Sequence, residues 1–442
     1  MTVVAARGVL TGDLVGGVGL RMEATSGAPT RIPAWRVAAV SIGNALEFYD
    51  FLTFSVFAVY IAEAFFPGRS PAEKLYASLA TFWAGFLTRP LGALVLGPLG
   101  DRIGRRPAMT ISFVLIGLGM LGIALTPPIT QIGLAAPVLA VVFRLVQGFA
   151  LGGAVGPTTA YMFEAAPPDR RGLYAAFQYS SQGVAVATAS LVGWLLDRTL
   201  GARDLAAWGW RIAFLAGVAI IPLGLWLRGS LPEVMPTTIS TARPRTALAP
   251  HARMIICGFL LLSATTVTVY VRNYTTTYAI DTLKLDPGVA FGGGVVSALM
   301  SIVFSLAGGA LSDRLGRRPV ILIFALAAAA AVWPVYWWLV HAPGWPSLFV
   351  GTAVIGALLT LSASPIIAAL AEGMPSAIRS GGVALVYALA ISIFGGGTQF
   401  VLARTIHESG NPMTPAWFIL GAIALCIPAA LSLRESAPAR AA

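Results

Sequence analysis

Five ionisable side chains stand inside long apolar stretches of this 442-residue chain: Glu47, Asp50, Arg89, Arg144 and Arg272. A charge at the centre of a bilayer costs about 2.5–3.5 kcal/mol on insertion scales, so intramembrane charges mark ion or substrate pathways by default. Glu47 and Asp50 are three apart and share one helical face. Carboxylates can take up and release protons, and the planar fork of arginine pairs carboxylates bidentately. Three cations against two acids leave one net positive charge, or three when both acids are protonated. A cavity that becomes more cationic on protonation favours an organic anion together with protons. The competing reading is an ion-pair network that only fixes packing, and it is strongest for Arg89, beside Pro90. Asn44 and Tyr49 beside the acids, Gln178 and Gln182 in a second polar patch, and Tyr270, Asn273 and Tyr274 around Arg272 are further candidate substrate contacts. Each of these polar groups could instead satisfy neighbouring backbone.

These residues need a membrane to position them. The chain is 57% hydrophobic and 11% charged, with mean hydropathy +0.81, whereas soluble domains carry about 25% charge. Twelve apolar stretches of bilayer-crossing length fall roughly at 35–62, 75–99, 107–126, 135–163, 173–196, 210–227, 252–280, 288–311, 319–340, 346–371, 382–404 and 414–433. Spans of this kind must be helical, because backbone groups find no water in lipid. The expected class is an all-α membrane protein of twelve transmembrane helices. The expected organisation is a disordered tail at 1–33, a six-helix bundle at 34–227, a Pro-rich cytoplasmic linker at 228–251, a second six-helix bundle at 252–433 and a tail at 434–442. Met22 is a plausible alternative start, which would make residues 1–21 dispensable.

The net charge of +11 comes from arginines in short loops. Nineteen of the 29 Lys/Arg residues fall on one side if both termini are cytoplasmic, against six in the opposite loops, which predicts that orientation and excludes a nucleic-acid reading. Gly97-Pro98-Leu99-Gly100-Asp101-Arg102-Ile103-Gly104-Arg105-Arg106-Pro107 returns as Gly309-Ala310-Leu311-Ser312-Asp313-Arg314-Leu315-Gly316-Arg317-Arg318-Pro319, eight of eleven positions identical at an offset of 212. Glu164 and Arg171, then Glu372 and Arg379, follow each copy. Two landmarks repeated in one order mean a duplicated unit, and paired halves are what alternating access needs. Cys257 and Cys426 lie in apolar runs, and His251, His341 and His407 at loops or span ends. No metal site, cofactor or enzymatic constellation is expected, and nothing demands more than a monomer.

The repeated loop and Arg144-x-x-Gln147-Gly148 resemble hallmark motifs of the major facilitator superfamily. Gly43-Asn44-x-x-Glu47-x-x-Asp50-Phe51, Arg89-Pro90-x-Gly92 and Trp208-Gly209-Trp210-Arg211-Ile212 resemble its metabolite:proton symporter branch. Ile132 to Leu139 and Ile393 to Gly396 are similar to bacterial citrate–proton and tricarballylate symporters. The resemblance implies two pseudo-symmetric bundles around a central cavity in a bacterial cytoplasmic membrane. It implies cytoplasmic latches built from Asp101, Arg105, Glu164 and Arg171, and from Asp313, Arg317, Glu372 and Arg379. It associates Arg144 with proton coupling, alongside Asp50 and Glu47. Loops of alternating charge beside glycines agree with latches of exposed ion pairs, which are individually weak.

Two departures bear on the substrate. The branch carries a Glu after the Gln-Gly motif where this chain reads Gly152-Gly153-Ala154-Val155-Gly156-Pro157, and Arg272 stands where the citrate group suggests a small polar residue. The expectation is proton-coupled import of a small organic anion of the citrate type, a tri- or dicarboxylate. The alternatives are an aromatic carboxylate or a shikimate-type acid, and, less favoured, drug–proton antiport. In the expected mechanism protonation of Asp50 or Glu47 releases Arg144 or Arg89 to bind the substrate carboxylate.

Overall fold

The computed structural model describes residues 34–103, 105–152, 166–229, 252–374, 376–433 and 435–437. The expectations for 1–33, for most of the linker, and for Arg434 and 438–442 lie outside the described residues. Helices dominate: α1 (Ala34–Val56), α2 (Ala58–Phe65), α3 (Pro71–Leu87), α4 (Arg89–Ile103), α5 (Arg105–Leu125), the single turn α6 (Ile129–Ile132), α7 (Ala135–Gly152), α8 (Arg171–Asp204) and α9 (Trp210–Gly229) make the first half. The second holds α10 (Ala252–Asn273), α11 (Thr275–Asp281), α12 (Pro287–Leu315), α13 (Arg317–His341), α14 (Trp345–Ala363), α15 (Ile366–Gly373), α16 (Ser376–Ser409) and α17 (Thr414–Leu431).

Helices lie in all twelve apolar stretches, the fourth being described as far as Gly152, and the protein is an all-α, multi-pass membrane protein. Among the described residues eight helical spans are long and apolar enough to cross a bilayer by themselves, or nine when α1 and α2, bent by 64°, count as one. Four stretches are each built from two consecutive helices: α1–α2, α3–α4, α10–α11 and α14–α15. The breaks at Phe57 and Tyr274 have no Pro or Gly at the junction; packing rather than local sequence sets them. Large apolar side chains such as Leu94, Leu118, Leu134, Trp337 and Trp417 are exposed on the outside, the surface a lipid phase would cover.

Helix starts are legible in chemistry. The Ser70 side chain accepts from the Glu73 N–H, with Pro71 in the first turn of α3. Asp286 accepts from the Gly288 N–H before Pro287 opens α12, the favoured arrangement of cap and proline. Gly316, at φ 110°, turns the chain between α12 and α13, a conformation that favours glycine.

Two close approaches fix the interior. A Cβ on Gly148 would lie 1.7 Å from the Gly85 carbonyl oxygen, so α3 and α7 touch backbone to backbone; a Cβ on Gly85 would crowd the Arg144 side chain at 3.2 Å. Between the halves, a Cβ on Gly309 of α12 would lie 2.5 Å from the Gly172 oxygen of α8. Small residues allow such contacts where both helices sit in lipid.

Candidate functional site

Asn44, Glu47 and Asp50 are all buried on α1. Neither carboxylate oxygen of Asp50 has a hydrogen-bond partner, and Asp50 forms no ion pair among the described residues. Arg144 and Arg89 are the cations close enough to act on it through space.

Both arginines are held by other groups. Arg144 Nη1 donates to Gln147 Oε1 at 2.9 Å and Nη2 to the Phe51 carbonyl at 3.1 Å. Its guanidinium lies 3.6 Å from the Phe51 ring centroid and 4.8 Å from those of Phe54 and Phe82. The Arg89 guanidinium lies 4.3 Å from the centroid of the same Phe51 ring and 4.4 Å from that of Phe86. One phenyl ring thus serves two cations, and the quadrupole of each ring attracts positive charge in a dry site. Arg89 Nε and Nη2 and Arg144 Nε have no hydrogen-bond partner. Buried donors left unmade are costly, so these N–H groups are available to an anion. The expected direct pairing of Asp50 with Arg144 or Arg89 is therefore absent in this conformation, replaced by an acid and two arginines arranged around Phe51.

The polar candidates divide. Asn44 Nδ2 donates to Ser181 Oγ at 2.6 Å, across α1 and α8. Gln178 is buried with both amide atoms unpartnered, and with Gln182 it flanks the Tyr387 phenol on α16. Tyr49 donates to the Ala213 carbonyl at 2.8 Å, which ties α1 to α9 and makes it a brace. Tyr270 is buried edge-on against Phe86, centroids 5.4 Å apart, with Arg89 and Arg144 in electrostatic reach. Tyr274 is buried with its hydroxyl unpartnered. Phe54, Phe82, Phe86 and Tyr387 were not legible as site residues, since an aromatic in an apolar run carries no signal until its partner is known.

Arg272, at the end of α10, is half-buried. Its Nη1 donates to the Thr360 hydroxyl and, at 3.4 Å, to the Gly356 carbonyl. It borders a small cavity with Tyr179, Gln182, Asn273, Ser297 and Ser301. A second small hollow that it also borders is lined by Thr275, Tyr278, Tyr336 and Thr352 among aliphatic side chains.

The second copy of the repeated motif forms a closed latch. Arg317 Nη1 lies 2.7 Å from Asp313 Oδ1, and its Nη2 and Nε pair bidentately with Glu372 at 3.0 and 3.1 Å. Asp313 also accepts from the Gly172 and Leu173 N–H groups at 2.8 and 3.0 Å, so a second-half carboxylate holds the start of α8 in the first half. The start of a helix favours a negative charge. This latch is buried, unlike the exposed pairs expected from sequence. It also recruits the end of the chain: Glu435 accepts from the N–H groups of Arg317, Arg318, Ser436 and Ala437, and the Ser436 hydroxyl donates to Glu372 at 2.7 Å. Burial works against the charge of Glu435, but these four N–H groups outweigh it and hold its carboxyl below the usual range. The side chains of Asp101, Arg105, Glu164 and Arg379 lie outside the described residues; Arg171 opens α8 and is half-buried.

On the opposite side, which the charge bias assigns to the exterior, the halves also touch. Ser55 and Gln399 exchange hydrogen bonds at 2.8 and 3.0 Å, Trp83 donates to the Ser392 carbonyl at 3.3 Å, and Tyr76 packs edge-on against His407.

The family model described as Major Facilitator Superfamily matches residues 40–398. Among curated proteins the chain is similar to the citrate-proton symporter of Salmonella typhi, 38% identical over 90% of this chain and 93% of that protein. It is 34% identical to the citrate-proton symporter of Klebsiella pneumoniae, over 92% and 95%, and 32% identical to the alpha-ketoglutarate permease of Escherichia coli (strain K12), over 88% and 91%. Among solved structures, a D-xylose-proton symporter superposes with TM-score 0.73 at 19% identity, covering 91% of this chain and 97% of that one.

Proposed function

This chain belongs to the major facilitator superfamily, and from that premise we propose that it is a proton-coupled symporter importing a small citrate-like organic anion across the bacterial cytoplasmic membrane. It is a transporter and not an enzyme. Asp50 carries the reading: a fully buried carboxylate with no hydrogen bond, within reach of two arginines with free N–H groups.

In the proposed cycle Asp50, with Glu47 beside it, accepts a proton from the outside. The field of the carboxylate on Arg144 and Arg89 then vanishes, and the cluster becomes net cationic. A substrate carboxylate takes its place on the free N–H groups, with Asn44, Gln178, Gln182, Tyr270, Asn273, Tyr274 and Arg272 as the surrounding polar wall. Coupling is the difference in anion affinity between the two protonation states of Asp50. The halves rock, the latch at Asp313, Arg317 and Glu372 opens, and both ligands leave into the cytoplasm, where the termini also lie. Tyr49 acts only through packing.

The alpha-ketoglutarate permease relative favours a second reading in which a dicarboxylate is the physiological substrate. The test is uptake of radiolabelled citrate into proteoliposomes under an inward proton gradient, with tricarballylate, succinate, α-ketoglutarate, shikimate and phthalate as competitors. Saturable citrate uptake abolished by an uncoupler supports the citrate reading. Proton influx driven only by a competitor replaces citrate with that acid, and silence with every acid contradicts organic-anion symport.

A further inference from the structure

Arg272 is a cation within the second-half bundle that forms no ion pair among the described residues. The small cavity that it borders is lined by Tyr179, Gln182, Asn273, Ser297 and Ser301 among small and aliphatic residues, with no acid among them. Even a half-buried cation left unpaired carries part of the cost of a buried one, and two neutral acceptors, one of them long, are poor compensation. Arg272 is nevertheless oriented: the Thr360 hydroxyl and the Gly356 carbonyl both take Nη1, so its other N–H groups are free of those two contacts.

Gln182, which lines the cavity, also stands beside a phenol that faces the first cluster electrostatically. Tyr387 is within electrostatic reach of Arg89 and stands beside Gln178 and Gln182. Tyr179 is within reach of both Tyr387 and Arg272. Tyr387, beside Gln182, and Tyr179 thus each stand within electrostatic reach of an arginine, Arg89 and Arg272 respectively.

Resting on the symporter reading above, we propose that Arg272 is a second carboxylate anchor, and that the protein selects acids bearing at least two carboxylates by binding one at Arg89 and Arg144 and the other at Arg272. Thr360 is its positioning residue. Charge-assisted pairs to arginine are the strong ones, so the second carboxylate contributes about tenfold or more in affinity.

The test compares glutarate with valerate, five-carbon acids that differ in the second carboxylate, by the ligand-dependent rise in melting temperature of the purified protein, alongside citrate and α-ketoglutarate. The wild type binds glutarate about tenfold or more tightly than valerate, Arg272→Gln reduces that ratio to near one by weakening glutarate more than valerate, and Arg272→Lys restores part of it. Should Arg272→Gln fail to fold, Thr360→Val carries the same test with a drop in the ratio of about threefold, the scale of one neutral hydrogen bond. A wild type that binds both acids equally, or a folded Arg272→Gln protein that keeps the wild-type ratio, overturns the second anchor alone. A wild type that responds to none of the four acids contradicts the symporter reading itself.

Discussion

The protein buries charge in two ways, in two places. At the latch, Arg317 is 1% exposed with carboxylates of Asp313 and Glu372 at 2.7 and 3.0 Å, the Ser312 hydroxyl at 2.7 Å, and Glu435 and Ser436 docked beside it. In the core, Asp50 and Arg144 are equally buried, but the acid makes no hydrogen bond and the arginine, held by an amide, a carbonyl and aromatic faces, leaves its Nε unpartnered. A saturated network resists change because every partner lost leaves a charge uncompensated. An unsaturated one sits ready to gain a proton or an anion. The first arrangement suits a gate and the second a coupling site.

The sharpest break in this comparison is Asp50→Asn, which fixes the core in its neutral form. It is expected to abolish proton-driven accumulation while leaving substrate exchange, measured as counterflow in proteoliposomes. Next is Arg317→Met: with Asp313 and Glu372 left uncompensated, the cost is about 3–5 kcal/mol, read as a fall in melting temperature and greater labelling of a cysteine placed near Gly172. Phe51→Leu removes the face shared by two guanidinium groups, each contact worth about 0.5–2 kcal/mol. It should weaken transport about tenfold or more with little change at the latch, which sets the two regions apart. Glu435→Gln trims one helix-capping carboxylate, worth about 1 kcal/mol, and should raise the same cysteine labelling modestly. A pH series sharpens this last case. Because the Glu435 carboxyl is held below its ordinary range, its contribution is complete above the ordinary carboxylate value and is lost only as the pH falls through the lower folded value. Tail docking should therefore survive at pH 5.

Much of the fold was legible because the bilayer fixes both the length and the apolarity of a span. All twelve stretches contain helix, with ends shifted by a few residues; α8 runs on to Asp204 past Gly201, whose φ is 76°. The bend at Phe57 and the break at Tyr274 were not legible, because no local residue type demands them. In the site, Glu47, Asp50, Arg89, Arg144 and Arg272 stood out because a charge in an apolar run is expensive. Their arrangement did not, since opposite charges in a list suggest salt bridges while the folded helices set both the Arg89 and Arg144 guanidinium groups against the Phe51 ring. Tyr49 illustrates the converse: beside Asp50 in sequence, it points its hydroxyl at the backbone of α9. Glu435 read as a residue of a solvated tail because nothing in its neighbours announces the N–H groups of α13, more than a hundred positions earlier, that it caps.

The most direct measurement is proton movement during substrate entry: wild-type and Asp50→Asn proteoliposomes loaded with a pH-sensitive dye and given an inward citrate gradient. Internal acidification by the wild type, with none in the variant although labelled citrate still exchanges, is the result that follows from an unsatisfied carboxylate acting as the proton carrier. Equal acidification in both would contradict it and move the coupling role to Glu47.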